Sequence, residues 1–294
     1  MAEPPKPRER SGYAPEETAL VGATCLTAAV ALGELLDRLC IVGGLVPLLL
    51  IDRQGHGPED GEAPHPGTND LDVGLGLALL RSEEYAQVGE RLAQEGFGPG
   101  TNARGNETPQ TWRLEGLNVT VDFLVPQLPG HDDTTRVQAL DGHFAAFVTP
   151  GLEVAFDEHV EVTIRGETLR AEKVERAIPV CGPAAFVLLK ALAFGGRGAP
   201  KDAYDLHYVL SRWPGGIEDV ADRLAAHAAR QPAVTEKALR ILARDFADPE
   251  TIGVRRIVEF DGDLVEDVDA AAADVHGHVD DLLRACRARN LPGA

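Results

Sequence analysis

GTNDLDVGL, residues 67–75, is the stretch on which the reading of this chain turns. Asp70 and Asp72 stand two apart inside an otherwise apolar alternating run, which is the period of a strand. Side chains at i and i+2 leave the same face of a strand, so Leu71, Val73, Leu75 and Leu77 are expected to face a core while Asp70, Asp72, Gly74 and Gly76 face away. Carboxylates placed this close repel unless a cation lies between them, and paired hard oxygen ligands suit Mg²⁺ that also holds phosphates. The alternative is the solvated polar face of an edge strand, so other residues have to decide between the two.

Upstream, the apolar strand LCIV at 39–42 runs into Gly43 and Gly44, and LVPLLLI reads as a buried helix with Pro47 in its first turn. Two glycines let the backbone turn sharply and let another group approach it, and a helix N-terminus beyond them offers free N–H groups to an anion such as phosphate. A plain tight turn is the competing reading. Residues 53–67, rich in glycine, proline and acid, read as a surface loop whose His56 and His65 are solvated rather than metal ligands. A helix over 16–38 precedes all of this.

Downstream, Ser82 starts a helix ended by Gly96, the loop FGPGTNARGNETP follows, and QTWRLEG with LNVTVDFLV reads as a hairpin around Gly116. In its second strand Val119, Val121, Phe123 and Val125 alternate with Asn118, Thr120, Asp122 and Leu124. Aspartate is depleted from strands and costly when desolvated without a partner, so Asp122 in mid-strand joins Asp70 and Asp72 as a candidate metal ligand.

VEVTIRG and ETLRAEKV read as a further hairpin with IPVC as its exit, and near Pro183 the period changes from strand to helix. The helix AAFVLLKALAF is apolar except for Lys190, whose ammonium either snorkels to water or is aimed at a substrate phosphate. Pro200 opens the next helix, with Lys201, Asp202 and Asp205 in its first turns. Asp202 suits the helix dipole there, and Asp205 on the same face could orient Lys190 or Arg197. Amphipathic helices at 217–229, 233–246 and 265–288 complete the chain; His276 and His278, among the acids of the last, could bind metal, with solvated surface as the favoured reading. The resulting division is a disordered lead-in at 1–15, an α/β domain at 16–181 and a helical domain at 182–294, an α+β chain overall.

A length of 294 residues and 44% hydrophobic content fit a globular protein with a sizeable core. The net charge of −19 argues against a general nucleic-acid coat, although a local basic pocket is compatible with it. Cys25, Cys40, Cys181 and Cys286 show no CxxC spacing, so a zinc site or a disulfide framework is not indicated and the cytoplasm is the expected setting. The polar N-terminus lacks the apolar core of a signal peptide, no later stretch reads as spanning a membrane, and neither a Walker GxxxxGK[ST] nor a GxGxxG is present.

With the glycine pair at 43–44, DLD at 70–72, Asp122 on a later strand, Lys190, and KDAYDL at 201–206, the chain resembles the AbiEii/AbiGii-type nucleotidyltransferases over about residues 20–215. These are the toxin components of type IV toxin–antitoxin pairs, include the MenT group, and belong to the polymerase-β-like nucleotidyltransferase superfamily. The resemblance implies a mixed-sheet nucleotidyltransferase domain followed by a helical one. It implies NTP as substrate, two Mg²⁺ ions on Asp70, Asp72 and Asp122, and catalytic roles for those carboxylates and Lys190. Nucleotide contacts are implied for Gly43, Gly44, Lys190, Arg197, Lys201, Asp202 and Asp205. It further implies a cognate antitoxin as partner, with the tRNA 3′ end or a small molecule as acceptor; a non-catalytic nucleotide-binding regulator is the remaining alternative. Leu45 stands where the family usually carries a hydroxyl residue, and the interval from Gly44 to Asp70 is longer than its usual spacing by the loop at 53–67.

Overall fold

The computed structural model describes residues 7–58, 63–76, 82–102, 104–127, 136–142 and 144–294. They form two compact units, one of residues 13–46 and 67–181 and the other of 7–12, 47–66 and 182–294. The segment 47–66, assigned to the sheet domain by linear position, thus packs with the helices, and the start of the expected lead-in, 1–6, lies outside the described residues.

In the first unit, helix α1 (Pro15–Leu32) continues into a 3-10 turn at Gly33–Arg38 and then strand β1 (Leu39–Val42). Pro15–Arg38 is long and apolar enough to cross a membrane, which the sequence reading did not expect, but 61% of its most apolar stretch is buried inside the protein, as in a core helix. Small residues explain both properties: Ala28, Ala29 and Cys25 let α1 pack closely as a core helix.

Strands β2 (Asp70–Leu75), β3 (Phe97–Thr101), β4 (Glu107–Leu114), β5 (Thr120–Pro126), β6 (Val137–Asp141), β7 (Phe144–Thr149), β8 (His159–Glu167) and β9 (Lys173–Cys181) complete a mixed sheet with β1. Its main order is β3-β4-β5-β2-β1-β9-β8, with β7 on β5 and β6 on β7. β2 runs antiparallel to β1 and parallel to β5, so the strand carrying Asp70 and Asp72 is central, not an edge. Two expectations are corrected here. FGPGT, expected to be loop, is β3 because its backbone pairs with β4 despite three positions of glycine and proline, and a register shift at Pro99/Gly100 absorbs the irregularity. The second strand of the last hairpin begins only at Lys173 and takes in IPVC.

Alternation holds on one face and is modified on the other. Leu71, Val73, Leu75, Val121, Phe123 and Val125 are buried, and the rings of Phe123, Trp112 and Phe144 meet edge to face. Leu77 lies outside the described residues. The opposite face is covered rather than solvated, since Asp70 and Asp122 are buried there and Asp72 is half-buried. Helices α3 (Ser82–Gln94) and α4 (Glu153–Asp157) belong to the same unit.

The second unit contains most of the short helix α2 (Val46–Leu50), then α5 (Pro183–Arg197), α6 (Pro200–Arg212), α7 (Gly216–Arg230), α8 (Pro232–Asp245), α9 (Ile252–Asp261) and α10 (Val268–Ala288). Proline in the first turn starts α5, α6 and α8. α9 was not expected from the sequence, where the glycine and proline breaks around it hid ten residues of helix that bury Val254, Ile257 and Phe260.

Candidate active site

The parallel pairing of β2 with β5 puts Asp72 opposite Asp122 and Asp70 opposite Thr120. In consequence one carboxylate oxygen from each of Asp70, Asp72 and Asp122 lies within 4.8 Å of the others. Thr68, just before β2, donates its hydroxyl to Asp70 Oδ1 at 2.7 Å and so fixes that carboxylate. On the other side of β2, Val42 pairs with Asp72, and the chain leaves β1 through Gly43 at φ +70°. A Cβ on Gly43 would lie 1.9 Å from Asp72 Oδ2, so the position demands glycine both for its backbone and for the space beside that oxygen. Gly44 follows in a 3-10 turn, Gly43–Leu45, and is buried; the helix beyond is only Val46–Leu50.

A hard divalent cation fits this arrangement: the donor set is all carboxylate oxygen, the oxygens converge, and the missing side chain at Gly43 leaves Asp72 accessible to it. The three acids singled out from the sequence are therefore brought together with Gly43.

The basic residues form a cluster of their own in the second unit. Lys190 Nζ donates to Asp205 Oδ2 at 2.8 Å and Asp202 Oδ1 at 3.1 Å. Arg197 grips Asp202 through Nε at 2.6 Å and a terminal nitrogen at 2.8 Å, and Lys201 donates to Asp205 Oδ1 at 2.7 Å. Lys190 is buried, so its ammonium does not snorkel to water; it is held between two carboxylates one helical turn apart on α6. Burial alone would lower its pKa, but Asp205 and Asp202 outweigh that and the net shift is upward. For Asp202 and Asp205 burial would raise the pKa, and the cations, Lys190 foremost, drive both downward. Lys190, Asp202 and Asp205 are therefore charged at neutral pH, and Arg197 and Lys201 pair with the same two carboxylates.

His65 corrects the sequence reading. It is buried, with Nε2 3.0 Å from Asp205 Oδ1 and its ring 4.8 Å from that of Tyr208 and 5.7 Å from that of Tyr204. Burial, aided by the charge of Lys201, holds its pKa down at about 4 against the pull of Asp205. Tyr208 in turn donates to Asp52 Oδ1 at 2.6 Å. His56, by contrast, is exposed as expected. Loop composition hid His65 because nothing local tells a solvated histidine from one meeting a carboxylate 140 residues later. Thr68 was also missed, although a threonine two residues before an aspartate is a recognisable local hydrogen-bonding pattern.

Comparison with known proteins gives one family. The model for the nucleotidyl transferase AbiEii toxin of type IV toxin–antitoxin systems matches residues 69–281. The match starts one residue before Asp70 and includes Asp72, Asp122, Lys190 and the whole of α6, while Gly43, Gly44, His65 and Thr68 precede it. No curated relative matches the sequence.

Proposed function

The chain belongs to the AbiEii nucleotidyltransferases, toxins of type IV toxin–antitoxin systems, and on that footing we propose that Asp70, Asp72 and Asp122 are the catalytic centre of a Mg²⁺-dependent transfer of NMP from an NTP to an acceptor hydroxyl. The observation that carries this reading is the convergence of the three carboxylates beside a glycine whose side chain would strike Asp72. A polymerase-β-like core is part of the same proposal, as the architecture in which a glycine turn and strand-borne acids serve one nucleotide.

Two Mg²⁺ ions held by these carboxylates would neutralise the triphosphate and polarise the α-phosphoryl group. The acceptor oxygen attacks the α-phosphorus, the bond to the bridging α–β oxygen breaks, and pyrophosphate leaves with that electron pair. Asp122 is suited to accept the proton of the acceptor hydroxyl, since it is buried and lies on the second strand of the cluster. Gly43 and Gly44 give the nucleotide close access to backbone beside Asp72. We assign to Lys190, Arg197 and Lys201 the nucleotide contacts that the family resemblance implies, with Asp202 and Asp205 as the groups that hold them in place; the 59% exposure of the Arg197 side chain supports that role.

The tRNA 3′ end is the acceptor we assign first, in a cytoplasmic setting with a cognate antitoxin as partner, because the family is one of toxins. A net charge of −19 favours contact with a terminus over binding along a nucleic acid, and is equally compatible with a small-molecule acceptor. Incubation with each labelled NTP, Mg²⁺ and total RNA tests the proposal. Label at tRNA 3′ ends supports it, label in small molecules alone moves the acceptor, and NTP binding without any transfer leaves a nucleotide-binding regulator.

A further inference from the structure

A second group of metal-ligating side chains lies in the helical unit and takes no part in the proposed reaction: His207 on α6 with Asp274 and His278 on α10, whose ligand atoms all fall within 4.8 Å of one another. We propose that these residues form a binding site for a zinc-type divalent cation that ties the C-terminal helix to α6.

The distances are those of a chelate. His207 Nε2 and His278 Nδ1 face each other at 3.3 Å, and Asp274 Oδ2 is 3.6 Å from His278 Nδ1. Zinc–nitrogen and zinc–oxygen bonds of about 2.0–2.1 Å at tetrahedral angles put donor atoms about 3.3–3.4 Å apart, so the imidazole pair already has the required span. Asp274 and His278 are four residues apart on one helix and so share a face, the spacing by which helices present paired ligands. The Asp274 side chain is 66% exposed, which leaves it room for the small turn that closes the third edge.

The donor set selects the metal. Two imidazole nitrogens and one carboxylate suit Zn²⁺, Co²⁺ or Ni²⁺, whereas Mg²⁺ takes oxygen ligands and belongs with Asp70, Asp72 and Asp122. Three protein ligands leave the fourth tetrahedral position to water. The two rings, 5.2 Å apart, share a hydrogen bond, with His278 Nδ1 also 3.0 Å from the Asp274 backbone carbonyl; metal binding would exchange these contacts for metal bonds. The opposing cation is Arg212, whose guanidinium lies 5.0 Å over the ring of Tyr208.

Titration of the full chain with Co²⁺, read by visible absorption, tests this. The expected result is an intense d–d band of low-coordinate Co²⁺ that saturates at one equivalent, is bleached by Zn²⁺, persists in Asp72→Asn and is lost in His278→Ala. Asp274→Ala, at an exposed position, should shift the band and weaken binding, and circular dichroism checks that both variants remain helical. Absence of the band in the wild type, or its survival in folded His278→Ala, overturns the site. A band lost in Asp72→Asn and kept in His278→Ala overturns it too, by locating the metal at the carboxylates. None of these outcomes depends on nucleotidyl transfer, so the two proposals stand or fall separately.

Discussion

Asp72 and Asp122 are direct neighbours across a parallel strand pair, a placement that costs electrostatic repulsion. Asp72→Asn should therefore abolish nucleotidyl transfer while the protein stays folded, with a Tm equal to or above that of the wild type. Transfer assays with Mg²⁺ and thermal melts check both halves. Wild-type transfer by the variant would remove the carboxylates from the chemistry.

Gly43 makes a complementary prediction. Alanine there must adopt φ +70° and push its Cβ into Asp72 Oδ2, so Gly43→Ala should destabilise by about 1 kcal/mol or more and suppress transfer through displacement of Asp72. Denaturant unfolding measures the first effect and Mg²⁺-dependent kinetics the second. Gly55, also at positive φ but with open space around it, is the control: alanine there should leave transfer intact.

Lys190→Met leaves Asp202 and Asp205 buried with one cation fewer. A loss of about 3–5 kcal/mol is expected from uncompensated buried charge, larger than the effect of merely deleting an exposed lysine. Replacing Lys190, Asp202 and Asp205 together by apolar residues should not restore that stability, because Arg197, Lys201 and buried His65 then lose the carboxylates they bond. Urea unfolding of the single and triple variants decides it, and a stable single variant would contradict the buried ion pairs.

His65 sets a pH dependence whose sign follows from its lowered pKa. Folded His65 titrates at about 4 and an unfolded histidine near 6.5, so between these values only the unfolded state takes up the proton. Its contribution to stability is complete above about pH 6.5 and declines as pH falls toward 4, at up to about 1.4 kcal/mol per pH unit. Below 4 the folded state protonates as well and the decline from this group ends. Unfolding measured across pH 4–7 in the wild type and in His65→Gln should show the steeper slope only in the wild type.

The carboxylate cluster was legible in the sequence because strand period is local: once LDVGL and VTVDFLV are strands, Asp70, Asp72 and Asp122 must share a face if the strands neighbour each other. What the sequence did not reveal was that this face is covered, since the burial of Asp70 and Asp122 depends on pairing order and not on pattern. Lys190, Asp202 and Asp205 were recognised as a group by helical spacing, but the fully buried form of their pairing required the fold. His65, β3 and α9 escaped for a common reason. Glycine and proline dominate their surroundings, and local composition then speaks for loop while long-range partners decide otherwise.

The contact between His65 and Asp205 also has a meaning in time. A ribosome adds about 5–20 residues per second, so the 140 residues between them take on the order of ten seconds to make. Until residue 182 is reached the segment 47–66 has been synthesised but none of the helices from 182 onward that it packs with has been made. A nascent chain that stops short of α6 carries Asp70, Asp72 and Asp122 yet leaves His65 without its carboxylate. The helical unit can close only once the residues from 182 onward have been made, so it is their synthesis that commits the earlier segment to its place.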